Sequence, residues 1–146
     1  VLRYFNVFGK KQNPHSQYAA VIPIITKKLL NNETFTIFGD GNQSRDFSYV
    51  ENVIHANILA CKASSLAAGE VFNVACGQRI TLNEVYNTIA KLLNKESKPI
   101  YSNDRPGDIK HSLADISKAK MLLGYEPLFN FYEGIEKTIN WYKEHL

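Results

Sequence analysis

Cysteine is scarce in this sequence: only Cys61 and Cys76 occur in 146 residues. Both sit in apolar runs, ILACKA and FNVACG, and neither belongs to a CxxC or Cys/His pattern. That spacing excludes a zinc ligand set and a disulfide framework, and reads as buried thiols in a reducing cytoplasm. No apolar run approaches the roughly 20 residues of a membrane-spanning helix, and no charged segment precedes a signal-like core, so a cytoplasmic location away from membranes is expected. Charge of one sign is also missing. Seventeen Lys and Arg against 14 Asp and Glu leave a net +3, too little for a nucleic-acid track or an anionic membrane surface. Any anion site must therefore be local. Repeats and low-complexity tracts are absent as well. The chain opens on Val1 in a strand-like run, and the expectation is a piece of a longer sequence.

What is present is a mixture of strands and helices without a clear internal boundary, an α/β (α+β-like) pattern. VLRYFNVFG reads as a strand, and Pro14 with its polar neighbours as a loop. YAAVIPIITKKLLNN carries Val21, Ile22, Ile25 and Leu29 at helical spacing, with Pro23 near the first turn. TFTIFGDGNQSRDFSYV reads as two extended pieces around a turn from Gly39 to Gly41. From Val50 the spacing predicts a helix burying Val53, Ile54, Ile58 and Cys61 and running out in ASSLAAG, followed by a strand GEVFNVAC. Thr81 and Glu84 form a capping box ahead of Val85, Ile89, Leu92 and Leu93. A polar loop, YSNDRPGDIKHSLAD, enters a short extended stretch. A helix from about Asp115 to Leu123 follows, closed by Gly124 and Pro127, and the last helix is expected to bury Tyr132, Ile135, Ile139 and Tyr142.

Four stretches carry a resemblance: RYFNVFG at 3–9, TIFGDGNQSRDFSYVENV at 36–53, FNVACG at 72–77 and RPGDIKHSLAD at 105–115, with KAKMLLGYEP after them. Their order and spacing resemble the C-terminal half of NAD-dependent epimerase/dehydratase proteins of the extended short-chain dehydrogenase type. The similarity is greatest to UDP-glucose and UDP-N-acetylglucosamine 4-epimerases. In that family the N-terminal Rossmann half carries a glycine-rich loop and a Tyr-x-x-x-Lys pair, and the C-terminal half supplies the UDP-sugar pocket. Neither signature occurs here; Tyr101 is followed four positions later by Arg105 in a loop. The resemblance thus implies a nucleotide-sugar-binding domain over 1–146, with 1–9 a strand of the Rossmann sheet, no catalytic residue of its own, and NAD held mainly by another half. It implies inversion at the sugar C4 through a 4-keto intermediate, and a homodimeric parent. Alone, the piece should not catalyse.

The resemblance also assigns residues. Arg45 and Arg105 match arginines that grip the diphosphate, a dianion suited to guanidinium forks; composition alone would instead pair Arg45 with Asp46 at the surface. Asp108 matches an aspartate on the ribose hydroxyls, although it also fits a turn residue after Gly107. Thr36, Ile37, Phe38 and Gly39 match the strand edge that reads uracil, with Phe38 as its stacking face; without the resemblance Phe38 reads as core. Ala20 and Val21 match small apolar positions in the same pocket. Asn6 matches an asparagine on the substrate phosphate or sugar, and Tyr4 and Val7 match positions at the nicotinamide end of the cofactor. Ser112 matches a gate beside the hexose where a small residue admits an N-acetyl group. His15, His55, His111 and His145 assemble into no site, and His111, beside the gate, is given no catalytic role. A UDP-glucuronate decarboxylase, a sugar-nucleotide dehydratase and a non-catalytic UDP-sugar-binding module are the competing readings.

Overall fold

The computed structural model describes residues 1–13, 20–96 and 98–145; the expected loop at Pro14, and His15, lie outside them. The opening run is two strands, β1 (Leu2–Tyr4) and β2 (Val7–Phe8), not one. Asn6, at φ 38°, breaks it, and the left-handed region is one that Asn tolerates better than most side chains. Helix α1 (Val21–Leu30) places Pro23 in its first turn, where no intrahelical donor is lost. Strands β3 (Thr36–Phe38), β4 (Ser44–Arg45) and β5 (Ser48–Tyr49) lead into α2 (Val50–Lys62). After a 3₁₀ turn come β6 (Phe72–Val74), β7 (Ile80–Thr81), α3 (Leu82–Leu92), β8 (Ile100–Ser102), α4 (Ser117–Leu123) and α5 (Phe131–His145). Strands β1 and β6, β2 and β5, and β3 and β8 pair in parallel, while β4 and β7 are antiparallel. Parallel pairs joined through helices make this an α/β protein.

Local signals fix most helix ends. Thr81 Oγ1 accepts from the Glu84 amide at 3.2 Å while Glu84 Oε2 accepts from the Thr81 amide at 2.7 Å, the expected capping box. Asn130 and Glu133 make the same reciprocal pair at the start of α5, at 2.8 and 3.0 Å. Gly124, at φ 65°, closes α4 as expected.

Two apolar clusters form. The larger packs α1, α3 and α5 around β2, β3 and β5, with Phe8, Phe47, Tyr49 and Phe131 in mutual ring contact at 5.7 to 6.4 Å. The smaller joins α2, β6 and α4. Gly134 is required where α5 crosses β5: a Cβ there would stand 2.7 Å from Tyr49 Cβ and 3.1 Å from Phe8 Cζ. Gly134→Ala should therefore destabilise the fold by about 1–3 kcal/mol, the usual overpacking cost, against a helix-propensity gain of roughly 1 kcal/mol. A denaturant midpoint that stays put or rises would contradict that packing.

The outward faces differ from expectation in three places. On α2 the buried residues are Asn52, Val53 and Ala56, whereas Ile54 and Ile58 are 53% and 48% exposed and Cys61 is exposed. The reason is Asn52: its Nδ2 donates to the Phe129 carbonyl at 2.8 Å and its Oδ1 accepts the Phe129 amide at 3.0 Å. Fully satisfied, it tolerates burial and rotates the helix away from the stripe that apolar residues alone define. On α5, Phe131 takes the buried place expected for Tyr132, because only Phe131 reaches the Phe8 and Phe47 rings. Strand β8, which read as loop, pairs with β3 although its three residues are exposed. Among the described residues no helix is long and apolar enough to cross a membrane.

Candidate functional site

Strand β3 provides the wall of the site. Its partner β8 takes one edge, where the Phe35 carbonyl accepts from the Ile100 amide at 3.0 Å and the Gly39 amide donates to the Ser102 carbonyl at 2.8 Å. Backbone groups of successive strand residues alternate between edges. Phe35, Ile37 and Gly39 therefore face β8, and Thr36 and Phe38 present theirs to the opposite edge. There the Gln43 side chain donates Nε2–H to the Phe38 carbonyl at 2.7 Å. The Ile37 side chain is buried in the larger core, so it supports the wall rather than forming its surface.

Against this wall the fold gathers charge. The pairing of β4 with β7 sets Arg45 opposite Ile80. Arg45 Nη2 donates to Asp108 Oδ1 at 2.7 Å, and Nη1 donates to the Ser44 carbonyl at 2.9 Å. Asp108, not Asp46, is thus the carboxylate that pairs with Arg45. The Arg105 guanidinium lies 3.9 Å from the centroid of the Phe38 ring, a cation–π distance. A cavity of about 460 Å³ opens between them, floored by Val21, Ile24, Phe35 and Leu82 and rimmed by Lys28, Arg45, Arg105 and Asp108. Its volume falls within the roughly 300–1,000 Å³ of small-molecule sites. Three cations against one carboxylate on an apolar floor give the cavity a local positive character.

Two further cavities share these walls. One of about 610 Å³ shares Phe38, Gln43, Arg105 and Asp108 and adds Gly39, Asp104 and Lys110. The other, about 250 Å³, shares Val21 and Arg45 and adds Asn6, Val7 and Ala20. Thr36, Phe38, Gly39, Val21, Ala20, Asn6, Arg45, Arg105 and Asp108 thereby line one or more of these three cavities. Ser112 lines none of the three cavities; it is half-buried beside β4, its amide donating to the Ser44 carbonyl at 3.0 Å. Its neighbour His111 has Nδ1 2.9 Å from Ser44 Oγ. Asn6 Nδ2 donates to the Asp46 carbonyl at 3.0 Å.

Asp46 is not the surface partner that composition alone would make it. It is fully buried. One carboxylate oxygen accepts the Cys76 amide at 3.0 Å, the other the Gly77 and Ala114 amides at 3.0 and 3.3 Å. Burial is the leading influence on this carboxyl and raises its pKa, against the lowering effect of those amides. The clamp ties β6 and the segment beyond Asp108 to the strand that carries Arg45. Burial likewise pushes the Cys76 thiol up to about 11, with the Asp46 charge adding to it. Gln43, Lys28, Phe47 and Leu82 also line the main cavity without having been singled out. Gln43 and Phe47 lie within the GDGNQSRDF stretch, and the capping box marked the helix start at Leu82.

A dinucleotide does not fit the residues of this chain taken by themselves. The Tyr4 hydroxyl is engaged with Asn57 Oδ1 at 3.1 Å and lines no cavity described above. Val7 borders only the smallest cavity, and no glycine-rich loop of the dinucleotide-binding kind occurs in the sequence.

Comparison with known proteins places this geometry in a lineage. The profile of the NAD dependent epimerase/dehydratase family matches residues 1–75. A putative UDP-glucose 4-epimerase of Methanocaldococcus jannaschii is 37% identical over 99% of this chain and 46% of its own length. The solved UDP-N-acetylglucosamine 4-epimerase of Methanobrevibacter ruminantium M1, in complex with UDP-N-acetylmuramic acid, superposes with a TM-score of 0.90 at 42% identity. That match covers 99% of this chain and 46% of that one. A UDP-N-acetyl-alpha-D-glucosaminuronate decarboxylase of Bacillus cytotoxicus is 28% identical, over 99% of this chain and 46% of its length. The chain spans less than half the length of these relatives. With a family profile over its first half and relatives along nearly all of it, this chain belongs to the NAD dependent epimerase/dehydratase family.

Proposed function

We propose that residues 1–146 are the substrate-binding domain of a UDP-sugar 4-epimerase and hold the nucleotide end of its substrate. The observation that carries this reading is the convergence of Arg45 and Arg105 on the cavity beside the open edge of β3. The diphosphate lies between the two guanidinium groups, whose forks hold its oxygens without a change of charge over the physiological range. The base lies along β3, reading the backbone of Thr36 and Phe38, and Asp108 takes the ribose hydroxyls. Arg105 crosses the face of Phe38, so a base packing on that face displaces the guanidinium towards the phosphates. Val21 and Ala20 line the groove from α1, and Asn6 lies where it continues past Arg45 towards the sugar.

The cofactor in this reading is NAD, held mainly by residues other than those of this chain, and it would supply the hydride acceptor and donor for C4. The residues described here bind and orient the substrate. Anchoring the nucleotide at a distance from the hexose lets binding energy position the sugar while leaving it free to turn.

For the sugar, the small Ser112, whose amide donates to the carbonyl of Ser44 next to Arg45 in the chain, favours an N-acetylhexosamine. The B. cytotoxicus relative makes decarboxylation of a UDP-uronate the second reading. Incubation of the complete protein with UDP-GlcNAc, UDP-glucose and UDP-glucuronate separates them: C4 epimers are expected, and carbon dioxide release with a pentose product would favour the decarboxylase. In the same assay Ser112→Tyr should cut UDP-GlcNAc turnover by at least about tenfold, the lower end of what a misfit beside a substrate group costs. Unchanged turnover would remove the gate from the account.

A further inference from the structure

Gln43 lines both larger cavities and is half-buried. Its backbone is fixed, because its carbonyl accepts the Leu82 amide at 3.0 Å at the head of α3. Its side chain spans the turn and donates Nε2–H to the Phe38 carbonyl at 2.7 Å. We propose that Gln43 is a positioning residue that determines which base the edge of β3 accepts, by withdrawing the Phe38 carbonyl from that edge. The inference rests on the nucleotide reading above and extends it to base selectivity.

Hydrogen-bonding groups define what this edge can pair with. Thr36 and Phe38 direct their backbone towards the cavity side. Among the described residues no hydrogen bond engages the Thr36 amide, the Thr36 carbonyl or the Phe38 amide on that side. With the Phe38 carbonyl occupied, the edge reads donor, acceptor, donor. That order complements an imide edge, acceptor, donor, acceptor, as in uracil or thymine. An amino-pyrimidine such as cytosine reads acceptor, acceptor, donor and cannot match all three. Uncapping the Phe38 carbonyl changes this in two ways. A bare oxygen beside the Phe38 amide repels the neighbouring carbonyl of uracil, and it accepts from the exocyclic amine of cytosine.

The test is titration of the complete protein with UDP and with CDP, for wild type and for Gln43→Met, which keeps the side chain's length but has no donor. The preference for UDP over CDP should narrow by about tenfold, the worth of one hydrogen bond near the strong end of its range, with the melting temperature held. Gln43→Glu, whose carboxylate cannot donate, should narrow it likewise and carries the comparison if Gln43→Met loses its melting transition. A folded variant with an unchanged ratio, or one losing both nucleotides equally, overturns the proposal and leaves the nucleotide reading of the site standing. Wild-type protein that binds neither nucleotide would instead overturn the nucleotide reading itself.

Discussion

Asp46→Ala should cost the fold about 3 kcal/mol or more, seen as a drop in denaturant midpoint and melting temperature, and should abolish nucleotide binding by disordering the site. The carboxylate accepts three backbone amides, from Cys76, Gly77 and Ala114. Alanine leaves those donors without a partner in a water-poor place, at roughly 1–3 kcal/mol each. Against a total stability of roughly 5–15 kcal/mol this is a large fraction. Asp46→Asn should recover part of the loss, since its carbonyl still accepts while its amide faces donors. A stability within 1 kcal/mol of wild type for the alanine variant, a margin typical of about one net hydrogen bond, would mean that the clamp is not what holds β6 and the 105–114 segment to β4.

That clamp also marks the limit of what was legible in the sequence. Features set by near neighbours were readable: the Thr81–Glu84 box, the Gly124 stop and the helical stripes of α1 and α3 all occupy their expected places. Features set by distant partners were not. Nothing near Asp46 in the chain announces that amides 30, 31 and 68 residues away converge on it, so composition alone offered it no role beyond a surface partner for Arg45. The α2 face was misjudged because periodicity counts apolar residues, and Asn52 earns its burial from Phe129 on another element. The opening strand read as continuous because nothing in RYFNVFG apart from the Asn signals a break. The family resemblance named Arg45, Arg105, Asp108 and Phe38, and all four line the main cavity. Gln43 was not singled out, because a glutamine in a turn has no periodic or chemical signature until its partner on β3 is seen.

The second large effect concerns Arg45. Arg45→Ala should weaken UDP binding by roughly 10–100-fold, the range of a charge-assisted hydrogen-bonded contact, and by more than Arg105→Ala. The difference follows from the surroundings. Arg105 leaves behind the neutral face of Phe38, whereas Arg45 leaves the Asp108 carboxylate unpaired beside the place proposed for the diphosphate. Arg45→Lys should restore little, since a point charge cannot serve Asp108, the Ser44 carbonyl and a phosphate with one planar fork. Titrations at several salt concentrations check this. A Lys variant with wild-type affinity would show that net charge alone matters.

The most direct test of the central claim is calorimetric titration of the complete protein with UDP at low salt, beside Arg105→Ala and with uridine as the ligand lacking phosphate. UDP should bind, uridine should bind far more weakly, and the arginine substitution should lower affinity for UDP while leaving that for uridine nearly unchanged. Folded protein that ignores UDP, or binds UDP and uridine alike with Arg105 intact, would contradict the assignment of this groove to a nucleotide diphosphate.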